Sequence, residues 1–218
     1  MAELRTEEEQ LEALKSWWKE NGRSLLIGVV VAVSAVIGWQ GWQSYTERQA
    51  TEASWLYQNL VEAVVRELDE NPNPQLETIM HLGSQLKENH SKTTYSQFAA
   101  LLLARVAVQT QDYSEALTQL DWVLERASEE DLKVVASLRK ARVLLAMNQL
   151  DEASSLLSGL SPRSFTALYY ELLGDIALQK GDLNSAAQAY DQALAAAENM
   201  PNQPVLQMKR DELGREAG

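Results

Sequence analysis

The sequence predicts an all-α chain, an N-terminal single transmembrane helix followed by an α-solenoid of paired helices. Three observations predict it. The run from Leu25 to Trp42, LLIGVVVAVSAVIGWQGW, carries no formal charge. As a helix it reaches ~27 Å, close to the ~30 Å hydrocarbon thickness of a bilayer. Downstream, apolar residues recur at helical spacing and one helix-turn-helix pattern returns three times. No stretch alternates with period two for long enough to build a sheet.

Residues 1–24 read as a tail with an amphipathic helix. Thr6-Glu7-Glu8-Glu9 opens it as a capping box, Leu11, Leu14, Trp17 and Trp18 follow at helical spacing, and Asn21-Gly22 reads as its stop. Residues 25–42 form the span, anchored by Leu25, Leu26, Ile27, Val30, Val33, Val36, Ile37, Trp39 and Trp42. With Trp17 and Trp18 before it and Trp39, Trp42 and Tyr45 at its far end, the run has an aromatic belt at each membrane surface. Ala32-Val33-Ser34 also resembles a signal-peptide cleavage site. Against cleavage, Glu3, Glu7, Glu8, Glu9, Glu12 and Glu20 precede the run in place of a short basic segment, and the apolar stretch continues to Trp39. Lys15, Lys19 and Arg23 on one side outnumber Arg48 on the other, which puts the N-terminus in the cytoplasm. Gly28 with Ala32, and Ser34 with Gly38, have the small-xxx-small spacing that lets membrane helices pack closely.

Residues 43–92 read as a long connecting helix and a helical hairpin. Ala53, Leu56, Tyr57, Leu60, Val64 and Leu68 keep a helical period, with neither Gly nor Pro between Trp42 and Pro72. Asn71-Pro72-Asn73-Pro74 forces a turn, because proline lacks a backbone donor and biases its predecessor away from helix. A second helix carries Leu76, Ile79, Met80 and Leu86.

Residues 93–218 repeat. Asp112-Tyr113-Ser114-Glu115-Ala116, Gln149-Leu150-Asp151-Glu152-Ala153 and Asp182-Leu183-Asn184-Ser185-Ala186 are versions of one junction, and Ala104-Arg105-Val106, Ala141-Arg142-Val143 and Gly174-Asp175-Ile176 lie upstream of each. The intervals agree at both markers: 37 and then 33 residues. That period resembles the tetratricopeptide repeat, a unit of ~34 residues in two antiparallel helices. The packing positions carried over are Leu103, Ala104 and Ala116 in the first copy, Ala141 and Ala153 in the second, and Tyr170, Leu173, Gly174, Ala186, Tyr190 and Ala193 in the third. Small residues stand where helices must approach closely. Lys140 occupies a position where leucine is expected. Asp112, Asp151 and Asp182 read as N-caps, Gly181 as a helix-ending glycine, and Ser128-Glu129-Glu130-Asp131 and Ser161-Pro162 as helix starts. Pro201 to Leu213, with Val205, Leu206 and Met208, reads as a C-terminal capping helix.

The net charge of −12 argues against nucleic acid and anionic headgroups as ligands of the soluble part, and the absence of cysteine excludes disulfides and thiolate zinc sites. His81 and His90 are nine apart, without the four-residue spacing of a helical metal pair, and read as solvated helix-end residues. No phosphate-binding glycine loop and no Ser, His and acid motif is present. The chain is read as a non-enzyme with no cofactor and no small-molecule substrate. In tetratricopeptide repeats the first helix of each unit lines a groove. Carrying those positions over gives Phe98, Leu101, Arg105 and Val108, then Val135, Leu138, Arg142 and Leu145, then Leu168, Glu171, Asp175 and Leu178. Such a groove is apolar with a few charges and fits an apolar segment or a partner's helix. The same residues, facing neighbouring helices, would instead be core.

Taken together, the acidic tail, Glu20-Asn21-Gly22-Arg23, Ile37-Gly38-Trp39 with Trp42, the run Leu138 to Ala153 and Met208-Lys209 resemble the bacterial YfgM family over nearly the whole chain. The resemblance implies a single-pass protein of the bacterial inner membrane, with its N-terminus cytoplasmic and its repeats periplasmic. It further implies company with the SecYEG translocon and with PpiD, a membrane-anchored periplasmic chaperone. The expected function is that of a non-enzymatic scaffold or chaperone accessory, holding partner proteins or unfolded exported chains and assisting their export or folding. The alternative is a single-span regulator whose cytoplasmic tail docks a soluble signalling protein through Leu11, Leu14 and Trp17.

Overall fold

The computed structural model describes residues 7–69, 71, 75–197 and 203–216, which fall into two compact units, residues 1–51 and 52–218. Among the described residues every regular element is helical.

In the first unit the described chain is helical without a break, part of α1 (Glu7–Val64). Asn21-Gly22 therefore does not stop a helix. The reason is local: Asn21 Nδ2 donates to the Trp17 carbonyl at 3.2 Å, and the bare Cα of Gly22 lies under the Trp18 indole, where a Cβ would stand 3.1 Å from the ring. Among the described residues this is the helix long and apolar enough to cross a membrane, and its apolar window buries nothing in the protein. Leu25, Leu26, Ile27, Val30, Val33, Val36, Ile37, Trp39 and Trp42 are all exposed. A side chain as apolar as Ile37 left 64% exposed, amid so many others, calls for a non-aqueous surrounding.

In the second unit α1 ends in a π-helical turn, Val65–Asp69. The Glu67 carboxylate accepts from the Asn71 side chain and the Gln75 backbone N–H, each at 3.0 Å, linking the π-helical segment to the residue that precedes Leu76. Pro72, Asn73 and Pro74 lie outside the described residues. Helix α2 (Leu76–Asn89) follows, then three helix pairs: α3 (Thr94–Gln109) with α4 (Tyr113–Arg126), α5 (Glu130–Ala146) with α6 (Leu150–Ser158), and α7 (Thr166–Gln179) with α8 (Leu183–Ala196). Helix α9 (Gln203–Glu216) closes the series; Pro201 lies outside the described residues. From α2 to α9 each helix packs on the next, so the domain is a tetratricopeptide-like solenoid.

The three pairs share one turn. Gln111, Asn148 and Gly181 each take a left-handed conformation, with φ of 62°, 60° and 80°. The next residue, Asp112, Gln149 or Asp182, donates its backbone N–H to the carbonyl of Ala107, Leu144 or Ala177. These bonds satisfy the carbonyls orphaned at a helix end. Asp112 and Asp182 then cap the next helix, accepting from the N–H of Glu115 and Ser185 at 3.0 Å. Asp151 is not a cap. Gln149 holds that position without a side-chain bond, and Asp151, in the first turn of α6, pairs with Lys180 at 2.9 Å. Glu129 precedes α5 without side-chain capping, and Pro162 leads only into a 3-10 turn, Arg163–Phe165, ahead of α7.

The core runs along the stack in overlapping clusters. Leu60, Ile79, Leu86 and Leu103 join α1, α2 and α3; Leu120, Val123 and Leu132 join α3, α4 and α5; Leu144, Leu157 and Leu172 join α5, α6 and α7. Tyr190 with Leu213, and Ala193 with Leu206, seat α9 on the last pair.

Candidate functional site

The seam positions come first, because they place everything else. Leu103, Ala104, Ala116, Ala141, Ala153, Gly174, Ala186, Tyr190 and Ala193 are buried; Tyr170 and Leu173 are half-buried. Gly174 is the tightest. A Cβ there would stand 2.5 Å from the Tyr190 ring, so the two helices meet at the distance that only glycine allows. Lys140 does not spoil its seam, because its ammonium reaches out to Asp121 of α4 while its neighbour Ala141 fills the contact.

The residues carried over as a groove separate into three groups. Leu101 and Leu138, each 7% exposed, belong to the core clusters of α3–α5 and α5–α7, and Val135 and Leu145 are half-buried against the same clusters. They pack helices together and do not line the pocket between α3 and α5. In the third copy Glu171 and Asp175 face α9, where Lys209 Nζ binds them at 2.9 and 2.7 Å, and Leu178 packs in the cluster that holds Tyr190 and Leu213. That part of the groove is filled by the protein's own last helix. Burial alone would lower the Lys209 pKa, but its hydrogen bonds to Asp175 and Glu171 outweigh burial and raise it. The Tyr190 hydroxyl donates to Asp175 at 2.7 Å, and burial together with that carboxylate raises its pKa as well.

Of the five others, Arg105, Val108 and Arg142 are brought together by the structure. They line a pocket of about 300 Å³ between α3, α4 and α5, with Ala104, Gln109, Tyr113, Leu120, Arg139, Val143 and Ala146. Phe98, 38% exposed, stands earlier on the same helix and packs against Tyr57 of α1, ring centroids 6.0 Å apart. Leu168 is exposed on α7.

Sequence reasoning missed Arg139 and Tyr113. Arg139 stands three residues before Arg142, hence on the same face of α5, and that spacing was its available signal. Its guanidinium donates to the Leu101 carbonyl at 3.3 Å, which turns it toward α3. Burial, and then the charges of Arg105 and Arg142, hold its pKa below the ordinary arginine value. The pocket thus has an apolar wall and a positive rim in an otherwise acidic protein.

Among the described residues no three His, Asp or Glu side chains converge as metal ligands. His81 is exposed, but His90 is buried at the C-terminus of α2, where its carbonyl accepts from the Thr93 hydroxyl; it is not a solvated residue.

A family model described as a tetratricopeptide repeat-like domain matches residues 15–215. The chain is 34% identical over 207 residues to the ancillary SecYEG translocon subunit of Escherichia coli (strain K12), spanning 95% of this chain and 96% of that protein. It is 32% identical over 207 residues to the protein of the same name from Haemophilus influenzae, spanning 95% and 97%, and 31% identical over 213 residues to that of Aggregatibacter actinomycetemcomitans, spanning 98% and 100%. No solved structure matches the chain.

Proposed function

Because this chain belongs to the family of ancillary SecYEG translocon subunits, with their tetratricopeptide repeat-like domain, we propose that it is a non-enzymatic, membrane-anchored accessory of a Sec translocon that holds partner proteins on its repeats. The observation that carries this reading is the extent of the similarity. It covers the apolar helix as well as the repeats.

Two features support the finer parts. The excess of Lys15, Lys19 and Arg23 over Arg48 favours a cytoplasmic N-terminus, with the repeats in the periplasm of a bacterial inner-membrane protein. The face with Phe98, Val108 and the arginine-rimmed pocket supplies an apolar surface for a protein partner, here the translocon, a PpiD-type periplasmic chaperone, or an unfolded exported chain.

A photo-crosslinker at Val108 tests the proposal in intact membranes, since that side chain is exposed on the pocket wall whereas Leu138 is core. The expected result is discrete adducts containing a translocon subunit, the chaperone or an exported chain. Adducts no more specific than those from exposed Glu125 of α4 would overturn it.

A further inference from the structure

The seat formed by α7 and α8 is filled by the protein's own last helix, and the way that helix is held specifies what else fits there. Helix α9 lies alongside α7 in the same direction: Leu206 meets Ala167, Ala193 and Ala197, Lys209 binds Glu171 and Asp175, and Leu213 closes on Tyr190. Leu206, Lys209 and Leu213 stand at i, i+3 and i+7, hence on one face, the spacing by which an amphipathic helix seats its anchors in a groove. The middle anchor answers a demand of the seat. The Glu171 and Asp175 side chains are only 12% and 20% exposed, and two carboxylates held together away from water repel unless a cation joins them. The resident itself is thinly attached. Leu206 and Leu213 are buried, but Val205 and Met208 are 47% and 56% exposed, and the further tie from Arg210 to Asp191 is an exposed pair. By contrast α3 buries nine residues and α5 eight. An element with few buried apolar side chains opens at a lower free energy than the core it rests on.

We propose that α9 is an exchangeable occupant: it lifts from α7 and α8 while they stay folded, and the vacated seat takes an amphipathic helix of a partner protein. That helix carries a lysine or arginine three residues after one large aliphatic side chain and four before another. Glu171, Asp175, Tyr190 and the small residues Ala167, Ala193 and Ala197 all belong to α7, α8 and the residue that ends α8, so the seat survives the departure of α9. The guest's affinity is reduced by the fraction of time the seat is open, so whatever loosens α9 raises it. The inference rests on the reading that the repeats hold a protein partner, and it specifies one class of partner and where it sits.

The test uses the full-length protein in nanodiscs and a fluorescent Leu/Ala helical peptide with one lysine at the α9 spacing, compared with its glutamine counterpart by anisotropy. Leu206→Ala loosens the resident and leaves every seat residue in place, so the lysine peptide is expected to bind this variant at least about tenfold tighter than the wild type. The glutamine peptide is expected to bind the variant about tenfold more weakly than the lysine peptide, the factor of one charge-assisted hydrogen bond. That gap is expected to close when Glu171→Gln and Asp175→Asn are added. Hydrogen exchange of the wild type, read by mass spectrometry, checks the opening independently: amides from Met208 to Leu213 are expected to exchange at least about tenfold faster than those from Leu101 to Ala107. Peptide binding unchanged by Leu206→Ala, equal binding of the two peptides, or α9 amides as protected as those of α3 overturns the inference. If Val108 crosslinks still yield partner adducts, the role as a partner-holding accessory stands and only the exchangeable seat falls; if those adducts are missing too, the wider reading has failed.

Discussion

At the scale of single residues the last repeat is held by one network. Tyr190 is fully buried, its ring closes on Gly174, and its hydroxyl shares Asp175 with Lys209. Tyr190→Phe keeps the ring and removes a bond to a charged acceptor, which is worth ~1.5–3 kcal/mol. The expected outcome is a lower midpoint in urea with an unchanged slope. The same network sets an alkaline limit. Both Tyr190 and Lys209 have raised pKa values in the folded protein, so their stabilising contribution is complete below the ordinary values of about 10 and is lost as pH climbs above them. Thermal melts should show the wild type losing stability above about pH 10, and Tyr190→Phe losing less of it. The identities of Gly174, Tyr190 and Ala186 were legible in the sequence because the repeat pattern marks small and large positions. The engagement of Asp175 by Lys209 was not, since a contact across 34 residues has no periodic signature.

At the scale of elements, helix positions followed from apolar spacing, but two boundaries did not. Asn21-Gly22 has the composition of a stop and lies mid-helix, because the Trp18 ring covers the glycine and outweighs its local preference. Asp151 has the composition of a cap and is two residues past it, because the α5–α6 turn uses the left-handed Asn148 and starts the helix at Leu150. These assignments separate on substitution. Asp112→Ala should cost ~1 kcal/mol through loss of the bond to Glu115 N–H. Asp182→Ala should destabilise in the same direction, whereas Asp151→Ala, which loses only an exposed ion pair, should leave the melting temperature nearly unchanged. Differential scanning calorimetry of the three variants checks the order.

At the scale of the whole molecule, the all-α class and the order of a long apolar helix followed by repeated helix pairs could be read from the apolar run and the two intervals of 37 and 33 residues. The groove could not be read to the same depth. A helix's inward and outward faces differ by one residue of register, and Leu101 and Leu138 fell on the inward side while Arg105 and Arg142 fell on the outward one. The proposed membrane topology has a clean test because the chain has no cysteine. Val205→Cys, at an exposed position on α9, should react with a membrane-impermeant maleimide added to spheroplasts, and Ser16→Cys should react only after lysis. The reverse pattern would place the repeats in the cytosol.

The ammonium of Lys209 on Glu171 and Asp175 also sets a length limit. It closes that face of the third unit, so in the proposed partner-holding role a guest lying along the first helices would have two berths, α3 and α5, before meeting a plug. Lengthening the lane would take a further unit inserted ahead of α7; one appended behind α8 would add only mass.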